Sequence, residues 1–310
     1  MDTKSRSVAD AAAAAPPRLM PGAVGVHIGG TACRAAASLE SDIWRGVLSP
    51  GSVADVCQAI QAAVREVEPD PKFVVVATPG HINASSGTVS GAANLGPQWE
   101  GIVPLRDLLV ERLQCEVEIR NDTEAALQAE RRRGALIAVN DGALITLSTG
   151  VGVALLVNGR GQSTELGHSV LQFEGPPCIG RPHRGCYESF LGGWALPLRY
   201  RERHPDFNGT SAREIPDDPE FWTECGARLG ELVVMLCLLG QGLEAVSLNG
   251  AVALARAHFL LPALRARVKE EASLLGTVPR LIRTTPLGDD VTVLGALLVA
   301  RDMLYPFRFS

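Results

Sequence analysis

Lysine is nearly missing from this chain. Of its 29 basic residues only Lys4, Lys72 and Lys269 are lysine. No Gly-Lys-Ser/Thr tripeptide exists, which excludes a P-loop. A Schiff-base lysine would have to be one of three residues in polar or terminal settings. Long apolar runs are also missing. The five alanines Ala11–Ala15, followed by Pro16-Pro17, are too short for a signal-peptide core, and no spanning segment follows. Segment 1–22 therefore reads as a disordered tail. A net charge of −5 over 310 residues gives no ground for a nucleic-acid or membrane partner. The seven cysteines are odd in number and widely scattered, which argues against a disulfide framework and for a reducing cytoplasm. Cys237, inside an apolar run, reads as a buried thiol.

What is present is ordinary for a soluble globular protein: 46% hydrophobic and 20% charged residues. The length suits two lobes with separate cores. Ala23–Ile28, Gly29-Gly30-Thr31 and Ala32–Ser38 read as strand, tight turn, strand. Val53–Val67 has helical spacing, Phe73–Ala77 is an apolar strand ended by Thr78-Pro79-Gly80, and Leu105–Leu113 is a helix. Glu116–Arg120 is a strand that runs through Asn121-Asp122 into a helix over Thr123–Arg132. The opening pattern then recurs: strand Ala143–Leu147, small-residue turn Ser148–Gly152, strand Val153–Val157. This repetition suggests two similar α/β lobes. Pro219–Leu239 is helical, Ala245–Leu248 is a strand meeting Asn249-Gly250, and Ala251–Leu261 is a helix interrupted at Pro262. A helix over Val291–Met303 closes the chain.

Four constellations carry possible chemistry. The turns at Gly29-Gly30-Thr31 and Ser148-Thr149-Gly150 have the glycines and hydroxyls that cradle phosphate, and equally suit tight turns without a ligand. Asn121-Asp122 joins a buried strand to a helix start, where α/β proteins place ligands and where an Asp also serves as a cap. Asn94, in a polar loop after a core strand, suits a substrate hydrogen bond or an Asx turn. Lastly, residues 165–188 begin and end on the acids Glu165 and Glu188 and hold two histidines and two cysteines. Glu165 and Glu188 can hold polyol hydroxyls. His168, Cys178, His183 and Cys186, at separations of 10, 5 and 3, are four possible metal ligands, or else free cysteines and surface histidines.

In their order and spacing these pieces resemble the ROK family of sugar kinases, from about Val24 to Ala300. The signature runs from the phosphate turn His27-Ile28-Gly29-Gly30-Thr31 through Gly87 and Asn94-Leu95 to Asn121-Asp122-Thr123-Glu124 with the later Glu130. It continues in Ser148-Thr149-Gly150-Val151-Gly152, Glu165-Leu166-Gly167-His168, Gly185-Cys186-Tyr187-Glu188, Asn249-Gly250 and Gly295-Ala296. The resemblance implies an α/β fold of two actin/hexokinase-like lobes, each with a ribonuclease H-like core, around a cleft. It implies a lobe at 23–122 on which helix 291–305 packs back, and a lobe at 123–290 carrying the 165–188 loop. It implies a cytoplasmic, homodimeric, ATP-dependent sugar kinase. Asp122 would be the general base. Asn94, Asn121, Glu165, His168 and Glu188 would hold the sugar, with Gly87 close by. Gly29, Gly30, Thr31, Thr149, Gly150, Asn249 and Gly250 would take Mg-ATP. An Asp at a helix N-terminus is expected to stay ionised.

Three features depart from the family pattern. His27 stands where the family has Asp; it cannot supply a fixed negative charge, and protonated it would repel magnesium. The cysteine run has lost its middle Cys, so a structural zinc would take His168, Cys178, His183 and Cys186, with His183 as the replacement. Val153 and Ala154 replace glycines of the second phosphate loop. The leading expectation is a kinase for a hexose or a close mimic, such as an amino sugar or a C7 cyclitol. The alternative is a sugar-binding sensor that has lost phosphotransfer; segment 1–22 is too short for a DNA-binding helix-turn-helix.

Overall fold

The structure is a computed structural model. It describes residues 21–306 apart from 31, 41–42, 48–50, 180, 240–241, 272–273 and 275–277. The expected tail and Thr31 of the first turn thus lie outside the described residues, Pro21 and Gly22 excepted.

Two five-stranded sheets share one topology. The first contains β1 (Ala23–Ile28), β2 (Ala32–Ala36), β3 (Trp44–Val47), β4 (Phe73–Thr78) and β7 (Glu116–Asn121), in the order β3-β2-β1-β4-β7. The second contains β8 (Gly142–Leu147), β9 (Val151–Val157), β10 (Arg160–Thr164), β11 (Ala245–Asn249) and β12 (Leu281–Thr284), in the order β10-β9-β8-β11-β12. Each is an antiparallel three-strand meander extended by two parallel strands. A small hairpin, β5 (His81–Asn83) and β6 (Thr88–Ser90), follows β4.

The helices are α1 (Val53–Val67), α2 (Leu105–Leu113), α3 (Asp122–Arg133), α4 (Tyr187–Leu191), α5 (Leu196–Arg203), α6 (Pro219–Leu239), α7 (Ala251–Ala255), α8 (Ala257–Glu270) and α9 (Val291–Leu304). Helix α1 starts at a Ser52/Asp55 capping box and buries Val56, Cys57, Ile60, Ala63 and Val64 on one stripe. β4 is buried along its whole length, as a parallel strand covered on both faces must be.

Side chains alternate to opposite faces of the first sheet. Val24, Val26 and Ile28 pack with α1 and α2. Ala23, Val75 and Ala77 pack with Val293, Ala296 and Leu297 of α9. Helices α3 and α9 then cover one face of the second sheet, through Ala126, Leu127, Leu144, Leu156 and Leu298. Its other face packs on α6 and α8, through Ile145, Leu229, Val233, Leu260 and Leu264. α3 and α9 therefore lie between the sheets, and the closing helix packs on both rather than on the first alone.

Two sequence expectations need correction. The helix after Asn249-Gly250 breaks at Arg256, not at Pro262. Arg256 bonds Asp217 and the Ile215 carbonyl, whereas Pro262 is exposed inside α8, where water can satisfy the carbonyl it leaves free. Cys237 is half-buried, although burial still pushes its thiol up to about 11.

Candidate active site

The parallel strands of both sheets end in the polar segments singled out above. β1 runs into Gly29-Gly30, β4 into Pro79-Gly80-His81, β7 into Asp122, β8 into Ser148–Gly150 and β11 into Gly250. Ligands of α/β proteins bind at such carboxyl ends.

Asn121 joins the ends of β7 and β4 to β10. Its Oδ1 accepts from the amides of Thr123 (3.0 Å) and Glu124 (3.3 Å), so Asn121 caps α3 and Asp122 does not. The same oxygen accepts from Ser163 Oγ of β10 at 3.1 Å. Its Nδ2 donates to the Gly80 carbonyl at 3.3 Å.

Freed from capping, Asp122 accepts from the amide (2.8 Å) and hydroxyl (3.3 Å) of Thr123. Its carboxyl is enclosed by protein, although part of the residue still meets solvent. Burial pushes it up from the usual carboxylate range, the Thr123 hydrogen bonds oppose this, and Glu165 adds a further push upward. Desolvation thus outweighs the helix N-terminus, reversing the expected direction.

Glu165 Oε1 lies 3.4 Å from His81 Nδ1, and its Oε2 lies 3.8 Å from His168 Nε2. Glu188 sits on α4, which Cys186 caps by accepting from the Ser189 amide at 3.4 Å. Its Oε2 accepts from the Val151 amide at 2.9 Å and its Oε1 from Trp194 Nε1 at 3.4 Å. Glu188 therefore rests on the second small-residue turn, where a methyl at Gly150 would strike its carboxylate.

His168, Cys178, His183 and Cys186 converge, with one ligand atom from each inside a 4.8 Å span. Cys178 Sγ is 3.5 Å and Cys186 Sγ 4.0 Å from His168 Nδ1. Ligands of a tetrahedral zinc with bonds of about 2.0–2.3 Å lie roughly 3.3–3.8 Å apart. His183 Nε2 is buried without a hydrogen-bond partner among the described residues, a state that a bound ion would relieve. The four residues fit a metal. His168 turns Nδ1 to this cluster and Nε2 to Glu165, the arrangement by which a carboxylate orients a ligating histidine. Burial alone would raise Cys186, but hydrogen bonds with His168 and the Ser189 amide bring it down to about 6. Burial and the neighbouring Cys186 push Cys178 up to about 12.

At the first turn Gly29 N–H donates to the Ala32 carbonyl at 2.9 Å. A methyl at Gly30 would lie 2.9 Å from the Asn94 carbonyl, so the segment of Asn94 abuts this turn, with the Asn94 side chain exposed. His27 pairs across the strands with Arg34. Burial, and then Arg34, hold its imidazole down at about 4, so it is neutral at physiological pH. An imidazole beside a guanidinium does not fit a magnesium ligand set, which calls for oxygen donors. At the second turn Ser148 N–H donates to the Gly150 carbonyl at 3.0 Å and Thr149 is exposed. Asn249 is buried and bonds Thr146 Oγ1 at 3.5 Å. Gly250, at φ +94°, presses on the Leu147 carbonyl, so α7 starts beside that turn. Gly87 lies in the hairpin turn against Arg106, whose amide donates to its carbonyl at 3.1 Å, and no hydrogen bond joins it to a described residue of the predicted site.

Ser163, His81 and Trp194 were not singled out from sequence. Asn158-Gly159, at φ +49° and +73°, is a strong hairpin signal that would have announced β10 and placed Ser163. The approaches of His81 and Trp194 are tertiary and leave no local signal.

The two-lobed architecture is that of the actin/hexokinase-like proteins. It superposes on a ROK family glucokinase from Streptomyces griseus, solved in complex with glucose and AMPPNP, with a TM-score of 0.77, 23% identity, and coverage of 90% of this chain and 99% of that one. Residues 23–303 match the model of the ROK family, and the chain belongs to that family. A glucokinase from Thermotoga maritima is 28% identical over 210 residues, 64% of this chain. The match spans 65% of that relative, just under two-thirds of its length. An N-acetylmannosamine kinase from Vibrio cholerae is 28% identical over 253 residues, covering 75% of this chain and 85% of the relative. No described helix is long and apolar enough to cross a membrane.

Proposed function

We propose that this protein is an ATP-dependent kinase for a hydroxyl of a hexose or hexose-like polyol, with an amino sugar or a C7 cyclitol as substrates to test beside glucose. The observation that carries the reading is Asp122: a carboxyl enclosed at the carboxyl end of β7, raised by burial, and within electrostatic reach of Glu165. Kinase relatives acting on glucose and N-acetylmannosamine support it. In this reading Asp122 accepts the proton of the reacting hydroxyl while that oxygen bonds to the terminal phosphorus of ATP and ADP leaves. A raised pKa suits a proton acceptor working near neutrality. Asn94, Glu165, His168 and Glu188 would engage the other hydroxyls, Asn121 would hold the cleft together, and Gly87 would shape its outer hairpin. Each polar group left unpaired by a wrong sugar adds to specificity.

Gly29, Gly30, Thr31, Thr149, Gly150, Asn249 and Gly250 would receive the nucleotide. When bound, magnesium would neutralise charge on the phosphates, and His27 would contact a phosphate oxygen rather than the ion. We assign zinc to His168, Cys178, His183 and Cys186, as a structural ion that fixes the loop between Glu165 and Glu188. The lobes would divide near Asp122, as 23–122 and 123–290, and the family implies a homodimer.

An ATP-coupled assay over glucose, N-acetylmannosamine, other amino sugars and cyclitols tests the proposal; a folded, zinc-loaded preparation inactive on all of them would refute it. His27 favours one other reading, a sugar-binding sensor without phosphotransfer. Calorimetry separates the two, because a sensor would bind sugar and ignore Mg-ATP.

A further inference from the structure

His81 lies at the meeting of the two sheets' loop systems. It follows Gly80, whose carbonyl Asn121 holds and whose φ of +96° turns the chain out of β4. A methyl at Gly91 would sit 3.4 Å from Cδ2 of the ring, so β6 backs the imidazole. From this footing the two ring nitrogens reach the 165–188 loop. Arg181 Nη2 lies 3.2 Å from His81 Nε2, and His81 Nδ1 lies 3.4 Å from Glu165 Oε1. A guanidinium can only donate. Nε2 must then accept, which puts the imidazole proton on Nδ1, facing Glu165. Glu165 is thereby held between two imidazoles, His81 from the first lobe and His168 from the second.

We propose that His81 is a positioning and specificity-determining residue that acts through Glu165, with Arg181 fixing its tautomer, so that the carboxylate presents one oriented acceptor to a substrate hydroxyl. The proposal rests on the polyol-kinase reading. Glu165 is more than half exposed, at 56%, and without His81 it would rotate over solvent. An unfixed acceptor binds hydroxyls less tightly and discriminates among them less. The hairpin of one lobe thus completes the substrate site of the other.

The test uses zinc-loaded full-length protein, with glucose and N-acetylmannosamine and their deoxy analogues as probes. His81→Ala should raise KM for the better sugar about tenfold, the loss of one hydrogen bond to a charged group, while kcat changes by less than about threefold. The preference for the parent sugar over its deoxy analogue should shrink by a similar factor. His81→Asn, whose amide donor occupies the place of Nδ1, should restore most of the affinity. His81→Gln, whose donor occupies the place of Nε2, should not. Arg181→Met should shift KM in the same direction by a smaller factor. If wild type turns over but His81→Ala keeps kcat/KM and selectivity within twofold, this inference fails and the kinase reading stands. Equal rescue by Asn and Gln would also overturn it. A wild type inert on every probe would overturn the kinase reading itself.

Discussion

Cys186 has two roles that two substitutions can separate. Its sulfur belongs to the four-residue cluster, and it also caps α4, the helix that carries Glu188. Serine is a good N-cap but a poor replacement for a thiolate ligand. Alanine supplies neither function. Cys186→Ser should therefore abolish tight zinc binding and keep the helix start, whereas Cys186→Ala should lose both. The cap is worth about 1 kcal/mol. The zinc contribution grows with ion concentration and reaches about 4 kcal/mol when free zinc stands a thousandfold above its dissociation constant. Wild type should carry close to one zinc per chain after dialysis, read by elemental analysis, and a chelator should lower its Tm by several degrees. Cys186→Ser should melt where chelated wild type melts and ignore the chelator. Cys186→Ala should melt slightly lower still, by the cap alone. Hydrogen exchange over 165–188 should rise in both variants, and sugar KM with it, because Glu165 and Glu188 bracket the loop. Wild type without zinc after growth and refolding in zinc, or a serine variant that keeps wild-type zinc, would refute the metal assignment.

Asp122→Asn should lower kcat by about 10²–10⁴-fold, the usual worth of a positioned base, with sugar binding by calorimetry nearly unchanged. The same change should raise Tm at pH 7. A carboxyl whose folded pKa is raised is best tolerated below its unfolded pKa and costs stability as pH rises through the folded value, and the amide is free of that cost. Across pH, kcat should fall on the acid side with a midpoint above the ordinary carboxylate value; a profile flat down to pH 4 would argue against Asp122 as the base. Gly150→Ala should push the Glu188 carboxylate off the Val151 amide and raise sugar KM at least severalfold with little loss of Tm, checked by kinetics beside thermal melts. His27→Asp, which puts a carboxylate beside Arg34, should shift the magnesium activation curve severalfold toward lower magnesium; an unmoved curve would separate the first turn from the donor's phosphates.

Much of the fold was legible because it repeats in period and punctuation. The paired strand–Gly turn–strand pattern announced the first two strands of both meanders but not β3 or β10, and the helices over Val53–Val67, Leu105–Leu113 and Pro219–Leu239 fall where apolar spacing put them. Pro262 misled because a proline's effect depends on whether the orphaned carbonyl can reach water, which spacing does not encode. At the site, the convergence of His168, Cys178, His183 and Cys186 was readable from residue type. Who caps α3 was not. Asn121 and Asp122 are both good caps, and only the backbone geometry assigned the role to Asn121. The charge state of Asp122 was likewise hidden, since helix position predicts one direction and enclosure by distant segments imposes the other.

That difference in surroundings is what distinguishes three carboxylates placed close to one another. Glu188 is held by an amide of the second turn and by Trp194. Glu165 faces two imidazoles. Asp122 receives its hydrogen bonds from Thr123 and from its own backbone, at the start of its own helix, with its carboxyl enclosed by protein. Glu188, tied to the second turn, and Glu165, exposed to solvent between two imidazoles, suit the binding of hydroxyls without taking their protons. An enclosed carboxyl pushed upward gains most from a proton when a hydroxyl begins to lose one. Acid–base roles follow environments that drive like groups apart. In the proposed kinase reading Asp122 would be the base and the two glutamates the substrate's anchors, and the Asp122→Asn and Gly150→Ala variants should fail in opposite kinetic parameters, kcat for the first and KM for the second.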